Sequence, residues 1–266
     1  DATELLRTQF ALDDSQYFST VEVIAGEPDR STLLIPVSVL AEPNRRNRYS
    51  VGVGYATDSK ARGTLSWENR RFNDRGHRMR AEFKAAQIEQ SFEARYVIPI
   101  GDPALEKLSF EARWARDDRG DLETRTLRFQ PSVTHVLGDW QRVLSASLSN
   151  IETITAATPT QPSSRDSSLL VIPAISYSSV PRGYLGEALF SRTFNAELRG
   201  SAEALGAPTE FLQLKVEAEK VFNLAPKWNT YLRGQLGTTW VTETALLPGT
   251  ERFFAGGDRS VRGFGY

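Results

Sequence analysis

Phe253-Phe-Ala-Gly-Gly-Asp-Arg-Ser-Val-Arg-Gly-Phe-Gly-Tyr266 says more about the fold than any other stretch of the 266-residue chain. Gly256 and Gly257 accept positive φ at no steric cost, so the backbone can double back there. Asp258 and Arg259 follow, then Val261-Arg262-Gly263-Phe264. Gly263 permits a second tight bend directly after Arg262, which pushes the guanidinium out at the tip of a folded loop. A planar, permanently charged fork in that position suits a bidentate partner, most often a carboxylate. By composition the same residues also read as a glycine-rich hairpin with solvated arginines.

Upstream, from Tyr49 to about residue 242, the sequence has period two. Met79, Ala81, Phe83 and Ala85 alternate with Arg78, Arg80, Glu82 and Lys84. Leu108, Phe110, Ala112 and Trp114 alternate with Lys107, Ser109, Glu111 and Arg113, and Leu212, Leu214, Val216 and Ala218 with Gln213, Lys215, Glu217 and Glu219. One apolar and one polar face per segment is the signature of half-buried strands. Eleven such runs are expected, at 49–57, 62–70, 77–87, 90–98, 106–117, 122–137, 140–154, 168–179, 187–200, 209–222 and 227–242. Turn signals at Asn73-Asp-Arg-Gly76, Gly101-Asp-Pro103, Asp117-Asp-Arg-Gly-Asp121 and Gly138-Asp139 separate them, which implies up-and-down hairpins.

Alternation by itself does not say which face meets what. In a soluble sheet the apolar face is inside; in a membrane barrel it meets lipid while charges line a wet lumen. Many runs approach the roughly ten residues that cross a tilted bilayer. Trp67, Tyr96, Trp114, Trp140 and Trp228 sit near run ends in the apolar register, as interfacial girdles do. Both features favour the barrel.

Composition excludes several classes. Net charge is −1, so no global field argues for nucleic acid. With no cysteine, disulfides, thiolate metal sites and cysteine nucleophiles are out. Leu169-Leu-Val-Ile-Pro-Ala-Ile175 is among the longest apolar runs, too short for a membrane helix. No Gly-x-Ser-x-Gly elbow is present. His77 follows a turn, His135 lies in the apolar register, and Asp117 and Asp118 fall in a surface turn. No catalytic residue, metal ligand or cofactor is expected, and the chain does not read as an enzyme.

Residues 1–42 differ from the rest. Leu5, Leu6 and Phe10 mark one face of a short helix starting near Thr3. Strand-like stretches around Tyr17–Ala25 and Leu33–Leu40 flank the turn signal Gly26-Glu-Pro-Asp29, and Glu42-Pro-Asn-Arg-Arg46 reads as a linker. The opening Asp1-Ala-Thr-Glu-Leu-Leu-Arg lacks the pattern of a signal peptide. With a chain that stops inside its own motif, this suggests a fragment of a longer protein.

The string Arg252-Phe-Phe-Ala-Gly-Gly-Asp-Arg-Ser-Val-Arg-Gly-Phe264 closely resembles the sixth surface loop of the outer-membrane assembly-factor superfamily, which includes BamA, TamA and the two-partner secretion transporters. Within it the string is most similar to the TamA group. Residues 1–42 resemble the C-terminal half of a POTRA domain, the periplasmic repeat that precedes these barrels; 43–48 would be the linker and 49–266 a barrel truncated within its sixth extracellular loop. The implied fold is all-β, an incomplete transmembrane up-and-down antiparallel barrel of eleven out of an expected sixteen strands in the family.

The resemblance also implies roles. The loop motif Gly256, Gly257, Asp258, Arg259, Val261, Arg262, Gly263 and Phe264 would fold back into the lumen, with Arg262 pairing to an acid of a later strand. The first strand, Tyr49-Ser-Val-Gly-Val-Gly-Tyr55, would form a weak lateral seam with the last one. Its lateral residues are Tyr49, Val51, Gly52, Val53, Gly54 and Tyr55. Gly52 and Gly54 weaken pairing there, and an opened edge can template an incoming strand; the same glycines also serve simply to relieve crowding or bend the sheet. The implied activity is folding and insertion of β-barrel and autotransporter proteins in the bacterial outer membrane, with the N-terminal part periplasmic. The implied partners are a TamB-like protein anchored in the inner membrane, unfolded outer-membrane substrates and outer-membrane lipid. The alternative is a two-partner secretion transporter that exports a polypeptide. Relatives with an N-terminal lipase domain keep open an enzyme elsewhere in a longer chain.

Overall fold

The computed structural model describes residues 5–6, 8–9, 12–13, 15–29, 31, 34–56, 60–102, 105–118, 120, 122–157, 162–179, 193–225 and 228–253. Residues 5, 6, 8, 9, 12 and 13 are helical. A two-stranded antiparallel hairpin follows, β1 (Phe18–Ala25) and β2 (Val37–Pro43), pairing Val21 with Ala41 and Val23 with Val39. Eleven further strands come next: β3 (Asn47–Ala56), β4 (Lys60–Asn69), β5 (Arg78–Ala86), β6 (Glu89–Pro99), β7 (Glu106–Asp118), β8 (Leu122–Leu137), β9 (Trp140–Thr155), β10 (Ser164–Ser179), β11 (Thr193–Ser201), β12 (Phe211–Ala225) and β13 (Trp228–Val241). They form one antiparallel sheet whose strand order is the chain order.

Every run expected from the alternation is a strand. β10 begins at Ser164 rather than at 168, and the first residues expected of β11, 187–192, lie outside the described residues. Gly76, Gly101, Gly120 and Gly138 each hold a positive φ between strands, which explains a glycine in each of these turns.

Contacts divide the chain into two compact units, residues 1–119 and 120–266. In the first, register aligns Val51, Leu65, Phe83, Phe92 and Trp114 in one row across β3–β7. All five are exposed. The next row, on the opposite face, is Ser50, Ser66, Glu82, Glu93 and Arg113. There charges pair with each other: Arg80 donates to Glu82 at 2.8 Å, Lys84 lies 2.8 Å from the same carboxylate, and Arg95 Nε donates to Glu111 at 2.9 Å. The second unit repeats the scheme. Phe129, Leu148 and Val171 share the apolar face, and Arg233 donates to Glu217 at 2.9 Å on the polar one. An open apolar face backed by a face of mutually paired charges is the reverse of a soluble sheet. It is the wall of a membrane barrel, apolar side to lipid.

In the first unit the hairpin end is tied to the β4–β5 connection. Tyr17 Oη donates to the Gly76 carbonyl at 2.5 Å, Arg71 to the Asn44 carbonyl at 3.1 Å, and Arg46 to the Phe72 carbonyl at 2.8 Å. Gly76, at φ 73°, is where the backbone comes this close; an added Cβ would lie 2.7 Å from the Tyr17 hydroxyl oxygen.

Candidate functional site

After β13 the chain makes two short 3-10 turns, Thr244–Leu246 and Gly249–Glu251, and returns onto the polar face of the second unit. That face is not polar throughout. Ile151, Leu170 and Ile172 project from β9 and β10 and Phe211 from β12, and they bury against Ala207 and Leu247 from the connecting segments, with Val241 packed alongside. Leu170 is wholly inaccessible. Burying side chains of this size stabilises by about 1.5–3 kcal/mol each, so the returning segment has an apolar seat.

Beside that seat lies an ionic one. Glu251 is 1% exposed. Arg128 of β8 donates from Nη2 to Glu251 Oε1 at 3.2 Å, and Arg199 Nη1 of β11 lies 3.0 Å from Oε2. Both guanidiniums are themselves held: Arg128 Nε donates to Ser149 Oγ at 3.0 Å, and Arg199 Nε to Gln213 Oε1 at 2.8 Å. Gln213, 1% exposed, in turn donates from Nε2 to the Glu251 carbonyl at 2.6 Å and to Thr239 Oγ1 at 3.1 Å. Three strands, β8, β11 and β12, thus converge on one loop residue. Arg252 braces the turn from within, donating to the Leu247 carbonyl at 2.9 Å and the Thr244 carbonyl at 3.0 Å. The carboxylate accepts one charge-assisted hydrogen bond, from Arg128, which is roughly twice as strong as a neutral one, and Arg199 adds a close opposite charge. This network clamps the base of the segment that runs on into the glycine-rich motif.

The motif residues Gly256, Gly257, Asp258, Arg259, Val261, Arg262, Gly263 and Phe264 lie outside the described residues. The first strand is described. β3 is the terminal strand of the sheet and pairs with β4 from Asn47↔Asn69 to Ala56↔Lys60. Tyr49, Val51, Val53 and Tyr55 point to the apolar side and are widely exposed, Val53 at 90%. Gly52 and Gly54 fall opposite Thr64 and Arg62 on the polar side. A Cβ at Gly52 would stand 3.8 Å from Thr64 Cβ, ordinary contact; at Gly54 it would meet only the flexible Arg62 side chain, at 2.8 Å. Local crowding is therefore not what requires these glycines. His77 Nδ1 lies 2.6 Å from the Tyr96 hydroxyl in an aromatic cluster with Phe72, and His135 faces Arg142 across β8–β9.

Sequence reasoning did not single out Glu251, Arg128, Arg199 or Gln213. The available signal was an acid next to the motif, with basic and amide residues in the polar registers of β8, β11 and β12. Their convergence depends on strand pairing.

The Omp85 superfamily domain matches residues 71–266. The chain belongs to the Omp85 superfamily. The folds of solved members agree. BamA from Haemophilus ducreyi lacking POTRA domains 1–3 superposes with a TM-score of 0.73 at 12% identity, covering 97% of this chain and 53% of that one. CdiB from Acinetobacter baumannii superposes with a TM-score of 0.59 at 12% identity, covering 95% and 49%. This chain spans about half the length of each. Its eleven-stranded sheet is a partial Omp85 barrel of the bacterial outer membrane.

Proposed function

We propose that this Omp85 chain is the barrel part of a TamA-type assembly factor, which folds and inserts β-barrel and autotransporter proteins at a weak lateral seam on β3. The carrying observation is β3 itself: the first strand of the barrel sheet, with two glycines, Gly52 and Gly54, that no backbone neighbour crowds. Each glycine in a strand lowers its stability by roughly 0.5–1 kcal/mol relative to alanine. A strand so weakened pairs poorly at its free edge and can exchange partners with an incoming strand. In this reading residues 1–42 are the end of a periplasmic POTRA domain, a TamB-like protein engages the periplasmic side, and the Arg128–Glu251–Arg199 clamp holds the base of the sixth loop while its Val261-Arg262-Gly263-Phe264 tip reaches a later strand. No bond is made or broken.

The test is insertion of an unfolded outer-membrane substrate by the full-length protein in vesicles. Gly52→Val with Gly54→Val stiffens the strand, the first within ordinary contact of Thr64 and the second by displacing the flexible Arg62 side chain, and insertion is expected to fall severalfold with the barrel still folded. Normal insertion by the double variant sinks the templating role. Export of a soluble polypeptide with no barrel inserted selects the secretion transporter instead.

A further inference from the structure

The lipid-facing surface of the second unit has a break. The β10–β11 ladder runs from Ser178↔Asn195 to Ala174↔Arg199 and stops there. The next pair would be Pro173 with Gly200, and proline has no N–H to give. β10 continues along β9 as far as Ser164↔Thr155. Ser201 closes the ladder's end from the side, its hydroxyl donating to the Val171 carbonyl at 2.6 Å. Where the ladder ends, a groove of about 680 Å³ opens on the apolar face. Leu144, Ile175, Leu198, Leu205 and Leu212 wall it, and its lining is almost entirely apolar.

Its depth in the bilayer follows from β10. Leu169, Val171, Pro173, Ile175 and Tyr177 are the apolar-face residues, with Arg165 and Ser167 beyond one end and Ser179 beyond the other. That is a band of roughly 25 Å along the strand, and Pro173 is its midpoint. Pro173 thus sits within the apolar band of β10, and Ala202 and Leu205 of the β11–β12 connection form the rim of the groove.

We infer that this groove binds one acyl chain of a bilayer phospholipid. It is continuous with the lipid-facing surface, which fixes the solvent that reaches it. A docked β-strand would need free backbone groups at the groove floor, where Pro173 has no N–H and the Val171 carbonyl is already taken by Ser201. No hydrophobic force drives a tail from bilayer to groove, since lipid tails are as apolar as leucine. The gain is dispersion: an unfilled groove forfeits contacts on one side of every lining atom. The chain that fills it exchanges more slowly than its neighbours.

The experiment is photolabelling of the full-length protein in phosphatidylethanolamine vesicles carrying a phospholipid with a diazirine at mid-chain. Label is expected to concentrate several-fold on peptides containing Leu198, Leu205 and Leu212 over the smooth wall around Phe129 and Leu148. Filling the groove by Ala202→Phe, or separately by Leu205→Phe, is expected to remove that excess. Uniform labelling along the apolar band overturns the inference, as does an excess that both filling variants leave unchanged. Loss of the excess on adding unfolded barrel substrate assigns the groove to a polypeptide and overturns it too. Should a variant fail to fold, the wild-type map alone decides between concentrated and uniform label.

Discussion

Glu251→Gln separates a loop clamp from a passive contact. The substitution keeps shape and one acceptor for Arg128 but removes the charge that Arg128 and Arg199 share at 3.2 and 3.0 Å. At an effective dielectric near 20 each pair is worth about 5 kcal/mol gross, against a desolvation cost of several kcal/mol for a carboxylate this buried. Removing one partner of a buried pair typically costs about 3–5 kcal/mol. Here the arginine side chains keep 30% and 26% of their exposure and recover some hydration, so the expected loss is about 2–3 kcal/mol. The loop base would then open roughly 30- to 150-fold more often, at tenfold per about 1.4 kcal/mol. Hydrogen exchange of the full-length protein in bilayers reads this directly at the Glu251 and Arg252 amides, which donate to the Pro248 and Gly249 carbonyls at 3.0 and 3.2 Å. Protection within about twofold of wild type would show that the apolar seat around Leu247 holds the segment without the ions. Arg199→Gln should cost less by itself, and its effect should nearly vanish in the Glu251→Gln background if the two act as one unit.

Gly200→Ala places a Cβ 2.6 Å from the Phe211 carbonyl oxygen, so a loss of about 1–3 kcal/mol in barrel stability is expected from urea unfolding. Gly63→Ala meets nothing within 4 Å and should be neutral or mildly stabilising; equal effects at both sites would discredit the steric account. Tyr17→Phe removes the bond to the Gly76 carbonyl at a cost of about 0.5–1.5 kcal/mol. Limited proteolysis at residues 44–46 should speed up roughly two- to tenfold; an unchanged rate would mean Arg46 and Arg71 hold the joint without it.

The eleven strands were legible in the sequence because period-two alternation is a local property. Each strand carries its own two faces, and four of the tight turns their own glycine in the left-handed region. The motif near the end of the chain likewise named the superfamily from a contiguous string. Which face meets lipid was not local: alternation permits both answers, and the exposed row Val51, Leu65, Phe83, Phe92 and Trp114 decides it across five strands. The clamp was invisible for the same reason. Glu251 and Arg128 stand 123 residues apart, and only strand pairing brings β8 and β11 under the returning loop. Tertiary structure also explains why alternation fails at Leu169-Leu-Val-Ile172. Leu169 and Val171 face lipid while Leu170 and Ile172 lie beneath the loop, so both faces of that strand are covered by something apolar, and neither needs to be polar.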